Sequence, residues 1–187
     1  MPQANSPTRY IGSYSPHLIA QTEAAIASGQ LGPALLKRYP QVHTVRNERA
    51  LHEYVTDLKN TYQRSAPPLA RISYDNHIHV IRNALGTHTT ISRVQGTRLK
   101  TKREIRIATL FRTMPEEFLR MIVVHELAHI KEREHDKAFY QLCCHMEPDY
   151  HQLEFDLRAY LCWLEVTGAH GKCGAVECSS AVMWVTR

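Results

Sequence analysis

Apolar residues along the chain recur at helical spacing in the first third, alternate in the middle, and return to helical spacing afterwards. Across residues 46–64, Leu51, Tyr54, Val55, Leu58 and Tyr62 fall three or four apart. That is the stripe of an amphipathic helix, and Pro67-Pro68 ends it. Shorter helices are predicted at 16–28, on Leu18, Ile19, Ala24, Ala25 and Ile26, and at 34–39, where Pro40 stops the run. The period then shortens. Residues 70–74, 77–81, 88–94 and 104–111 alternate or are β-branched, with Asp75-Asn76, Gly86 and Gly96 between them. They predict a small antiparallel sheet. Thr113-Met114-Pro115-Glu116 has the form of a capping box and opens a helix expected over 115–131. Asp136 can cap a second helix reaching Met146, which Pro148 breaks. A third is predicted over 150–166, with Leu153, Leu157, Tyr160, Leu161 and Leu164 on one side.

This order divides the 187 residues into a flexible N-terminus at 1–14, a helical extension at 15–66, an α+β domain at 67–167, and a loosely ordered tail at 168–187. Hydrophobic residues make up 43% and charged residues 22%, which excludes disorder over most of the chain. No apolar run approaches the ~18–20 residues of a membrane span. The polar start, MPQANSPTRY, lacks the apolar core of a signal peptide. The expected setting is cytoplasmic, without a membrane partner. Cys143, Cys144, Cys162, Cys173 and Cys178 form no CxxC pair and read as free thiols in a reducing compartment.

Charge changes the picture in one place. Between Ile91 and Arg112 stand Arg93, Arg98, Lys100, Lys102, Arg103, Arg106 and Arg112, against the single acid Glu104. The whole of the formal +5 is concentrated there. Arg93, Arg98, Lys100, Lys102, Arg103 and Arg106 are candidate contacts to nucleic acid. The segment has no interleaved aromatics, however, and basic residues on the wet face of a hairpin also guard its edges without any partner.

The candidate chemistry lies further on. The chain holds 12 histidines, and residues 121–139 read MIVVHELAHIKEREHDKAF. Within this stretch His125, Glu126 and His129 form an HExxH sequence. Residues four apart share a helix face, so both imidazoles can reach one zinc ion. Glu126 is offset from that pair and suits the general base that deprotonates water on the metal. Ile122, Val123, Val124, Leu127, Ala128 and Ile130 surround the motif, and polar residues in so apolar a helix are costly unless paired or metal-bound. A third ligand is needed. His135, six residues after His129, is favoured if the chain turns between Ile130 and His135. Glu154 is the runner-up, with Glu147 also in reach. His145, Tyr150 and His151 are candidate oxyanion stabilisers, each with a structural role as the competing reading. His77 and His79 alternate on an expected strand and offer a possible second metal site, with a solvated strand face as the alternative. Phe139 is expected to pack beneath the site.

The sequence VVHELAHIKEREHDKAFYQL, followed by MEPDY, resembles the YgjP-like zinc metallopeptidases, relatives of the WLM and SprT-like proteases. The family pattern HELxHxxxxxHxxxF is matched by His125, Glu126, His129, His135 and Phe139, and Pro148-Asp149-Tyr150 follows. The resemblance covers about residues 88–157, and nothing in the first 65 residues contributes to it. It implies a zincin-like domain with the sheet packed on the HExxH helix, one zinc ion on His125, His129 and His135, Glu126 as base, and a peptide or protein substrate. SprT-like and WLM proteins act on proteins attached to DNA, which would give the basic strands a partner. The competing functions are a degenerate zincin that binds nucleic acid or protein, and a non-peptide amidohydrolase using the same chemistry.

Overall fold

The computed structural model describes residues 8–77, 86–95 and 98–168, with the backbone alone between 86 and 102. Among the described residues six α-helices and three strands are found, the helices in the predicted order and the strands at three of the four expected segments. Helix α1 (Pro16–Ala27) has proline in its first turn and Ser15 at its N-cap, where the hydroxyl accepts from the Leu18 amide. Helix α2 (Leu31–Arg38) begins three residues before the expected start. Helix α3 (Glu48–Tyr62) is capped by Asn47, whose Oδ1 accepts from the Ala50 amide at 2.9 Å. Strands β1 (Arg71–Asp75), β2 (Gly86–Gln95) and β3 (Arg98–Ala108) come next. Helices α4 (Glu116–Ala128), α5 (Lys137–Met146) and α6 (Tyr150–Val166) complete the described chain.

The sheet departs from the antiparallel expectation. Its order is β1-β3-β2, so β3 lies in the middle. The β2–β3 pair is antiparallel, but β1 runs parallel to β3, with Ile72 opposite Ile105 and Tyr74 opposite Ile107. The last strand in sequence, β3, is thus inserted between the two earlier ones. Alternation within a strand carries no information about which neighbour it takes. The strand expected at 77–81 is not seen at its start: His77 stands in a turn, its amide donating to Asp75 Oδ1 at 2.8 Å, and residues 78–81 lie outside the described residues.

One hydrophobic core runs through both expected divisions. Ile11, Leu51 and Val55 of the N-terminal part are buried in the same cluster as Phe118, Leu119, Ile122, Leu157 and Leu161. Residues 8–14, expected to be loose, are seated against α6. There Ile11 is fully buried, Arg9 pairs with Glu165 at 2.7 Å, and Arg158 donates to the Tyr10 carbonyl at 3.2 Å. The tail expected at 168–187 lies outside the described residues beyond Gly168. His43 joins the layers as a satisfied buried histidine. Its Nε2 lies 2.6 Å from the Phe111 carbonyl, and its Nδ1 accepts from the Val45 amide at 3.1 Å.

The start of α4 is built differently from the expected capping box. Pro115 occupies the N-cap position without a side-chain cap, and the Thr113 hydroxyl turns back to the Leu110 carbonyl. The segment before α2's neighbour α3 supplies what is missing. Val42 bridges to Pro115, and the Glu116 amide donates to the Gln41 carbonyl at 3.3 Å. Glu116 and Glu117 then place negative charge at the positive end of the helix. Helix α4 packs on β2, β3, α3, α5 and α6, which puts it at the centre of the fold.

Candidate metal centre

Helix α4 is buried over nearly its whole length, Val123, Val124, Leu127 and Ala128 among its buried residues, and His125 and His129 share its one half-open face. The helix ends at Ala128, three residues before the expected end. The last turn tightens: the Ile130 amide donates to the Leu127 carbonyl at 3.1 Å and the Lys131 amide to the Ala128 carbonyl at 3.0 Å. Gln63 at the end of α3 donates its Nε2 to the Leu127 carbonyl at 2.9 Å. Asp136 restarts the helix by accepting from the Phe139 amide at 3.0 Å. The reversal between these two ends swings His135 back over α4.

The result is a convergence of three imidazoles. The Nε2 atoms of His125, His129 and His135 lie 3.1–3.2 Å from one another. The opposite nitrogen of His129 lies 3.0 Å from the Glu132 carbonyl, which only accepts, so Nδ1 carries the proton and Nε2 presents a lone pair. His125 Nδ1 lies 2.6 Å from the Tyr150 hydroxyl. Three neutral imidazoles that carry their protons on Nδ1 turn only lone pairs toward one another at this distance. They match a cation instead: bonds of ~2.0–2.1 Å in a tetrahedral zinc site space the ligands by about 3.3–3.4 Å. The residues therefore fit a divalent ion with a position left open. Burial, followed by the neighbouring His129 and His135, holds His125 down to about 3, and burial lowers His129, so both favour the neutral ligand form. The Phe139 ring lies 4.6–5.0 Å from all three imidazole centroids and forms an apolar floor.

Glu126 follows the first ligand and is 1% exposed. Its Oε2 is buried without a hydrogen-bond partner among the described residues, and burial pushes the carboxyl up to about 8. An orphaned acid oxygen on the residue next to a cluster ligand calls for a partner such as a water or cation.

The other candidates go elsewhere. Glu154 is tied to Arg158 at 2.8 Å, and Glu147 is tied to Arg120. Neither is in the cluster. Tyr150 is fully buried behind His125, His145 is exposed with its ring against Tyr62, and His151 is exposed with its ring 5.2 Å from Tyr140. Arg106 pairs with Asp75 and Glu104, Arg103 is half-buried, and the side chains of Arg93, Arg98, Lys100 and Lys102 lie outside the described residues, as does His79. Sequence reasoning missed Gln63 and the Glu132 carbonyl. A lone glutamine after a helix and a backbone oxygen leave no pattern to read.

The sequence profile of the YgjP-like, metallopeptidase domain family matches residues 89–160, which contain all three histidines and Glu126. The chain is 58% identical over 157 residues to a protein of Escherichia coli strain K12 named UTP pyrophosphatase, an alignment covering 84% of this chain and 94% of the relative. The chain belongs to the YgjP-like family. That alignment leaves only 30 of the 187 residues outside it, so it reaches into the first 65, where the motifs had offered no match. No solved structure matches significantly. No helix among the described residues is long and apolar enough to cross a membrane.

Proposed function

We propose that the chain is a metal-dependent hydrolase, and that it cuts the phosphoanhydride between the α and β phosphates of a nucleoside triphosphate, uridine triphosphate first. The convergence of His125, His129 and His135, together with the orphaned oxygen of Glu126 next to His125 in the chain, carries the hydrolytic reading. The substrate choice is supported by the name of the 58%-identical relative. The basic composition of β2 and β3, which adjoin α4, also suits a polyanion.

The three histidines would hold the ion through Nε2, and zinc is the ion their chemistry suits. When bound, the ion supplies a Lewis acid that makes water nucleophilic near neutral pH and neutralises charge on phosphoryl oxygens. Glu126 moves the proton. Burial alone keeps its carboxyl neutral, but a cation alongside draws it back to the carboxylate. Oε2 then accepts a proton from the attacking water and returns it to the leaving group. The water oxygen bonds to the α phosphorus, the bridging P–O bond breaks, and a nucleoside monophosphate and pyrophosphate leave.

Peptide hydrolysis is the second reading. It is favoured by the family's metallopeptidase description and by the position of β2 at the sheet edge, where an extended chain can add alongside α4. Incubating zinc-loaded protein with uridine triphosphate and with a peptide library, while following pyrophosphate and new amines, separates the two. Glu126→Gln is expected to keep the metal and to lower turnover by ~10²–10⁴. Unchanged turnover in that variant would remove Glu126 from the chemistry. New amines without pyrophosphate would make the peptide reading the correct one.

A further inference from the structure

Tyr150 is the first residue of α6 and is fully buried, yet its hydroxyl does not face the open side of the histidine cluster. It lies 2.6 Å from His125 Nδ1, whereas the cluster is formed by His125 Nε2 on the other edge of the ring. A residue stabilising an oxyanion must point at the reacting atoms. Tyr150 points at the back of a ligand.

A tyrosine hydroxyl has one proton to donate and lone pairs to accept with. The other edge of the ring sets the direction: a His125 that turns its Nε2 lone pair to the cluster carries its proton on Nδ1. The Tyr150 hydroxyl oxygen, 2.6 Å away, then accepts from it. The two residues come from α4 and α6 and meet in the core beside Phe139 of α5.

We propose that Tyr150 is a positioning residue for the metal centre: its hydroxyl accepts the Nδ1 proton of His125 and so holds the Nε2 lone pair on the metal site. This rests on reading the histidine cluster as a metal centre. The arrangement parallels what the Glu132 carbonyl does for His129. Two of the three ligands are then locked in tautomer and in ring orientation by partners behind them. His135, which is exposed, is the ligand left adjustable. A partner of this kind raises ligand basicity and removes the disorder the ring would otherwise lose on binding.

The test uses the full chain stripped of metal. Zinc affinity is measured by competition with a chromophoric chelator for wild type and Tyr150→Phe, and the tautomer of His125 is read by ¹⁵N–¹H NMR in the metal-free protein. Wild type should show the proton on Nδ1. Tyr150→Phe, which keeps the buried ring, should lose about 10–100-fold in affinity. A tyrosine with only a packing role would lower the melting temperature without changing the affinity of the folded protein or the tautomer. Equal affinity in wild type and Tyr150→Phe, or a wild-type His125 protonated on Nε2, overturns the proposal alone. Wild-type protein that takes up no zinc overturns the metal-centre reading and the proposal with it. Should Tyr150→Phe fail to fold, the wild-type tautomer still decides.

Discussion

Gly32 tests whether the N-terminal helices are structural parts of the domain that carries the site. It is buried in the first turn of α2, where that helix meets α6. A Cβ added there would stand 2.3 Å from Trp163 Cε2, 2.4 Å from Nε1 and 2.6 Å from Cζ2. Ordinary carbon contacts are ~3.5–4.0 Å, so the indole would have to retreat by more than about 1 Å. Helix propensity argues the other way, since alanine is better than glycine by up to about 1 kcal/mol inside a helix. Overpacking costs about 1–3 kcal/mol, and the upper part of that range applies because both the Cβ and the rigid indole are anchored to helices. Gly32→Ala should therefore destabilise by about 1–2 kcal/mol. At ~2–4 °C per kcal/mol for a chain of this size, the melting temperature should fall by ~2–8 °C at fixed metal load. Calorimetry on Gly32→Ala, Trp163→Leu and the double variant closes the argument. Removing the indole should make the alanine tolerable, with a coupling energy of at least about 1 kcal/mol. A rise in melting temperature in Gly32→Ala, or additivity in the cycle, would show that α2 and α6 do not pack this closely.

His135→Ala should weaken zinc binding far more than Glu154→Ala, because Glu154 is engaged by Arg158 and stands outside the cluster; equal losses in a chelator competition would reassign the third ligand. The metal-free protein should be most stable near pH ~6.5. Below that value the folded state resists protonating His125, His129 and His43, all lowered by burial, whereas the unfolded chain takes up those protons, so stability falls with pH. Above it Glu126, raised by burial to about 8, holds a proton that the unfolded chain has already released, so stability falls again. Urea midpoints that rise steadily from pH 5 to pH 8 in chelated protein would contradict this. Tyr39→Phe removes the buried hydroxyl that donates to Asp156 at 2.6 Å and should cost about 1–3 kcal/mol, read as a shift in urea midpoint. Arg38 and Gln152 still hold that carboxylate, so a loss above this range would mean that they depend on Tyr39.

The sequence alone determined the helices and the identity of the site residues. The 3.6-residue period placed α1, α3 and α6 within two residues, and Asp136 announced the start of α5. Both signals are local, because a helix makes its hydrogen bonds within a few residues of chain. HExxH is equally local, since one helix face presents His125, Glu126 and His129 together. What only the tertiary structure decided were relations between distant segments. The insertion of β3 between β1 and β2, the seating of residues 8–14 on α6, and the support of α4's ends by Gln41 and Gln63 all join parts far apart in sequence. The third histidine falls between the two cases. Its spacing suggested a role, but no glycine or proline marks the turn that returns it. That turn depends on a carbonyl of Leu127 met by a side chain 64 residues away and on a cap at Asp136. The role of Tyr150 belongs wholly to the tertiary structure: its position near the motif left open which side of a histidine ring it would face, and the packing of α6 on α4 put its hydroxyl behind the ligand.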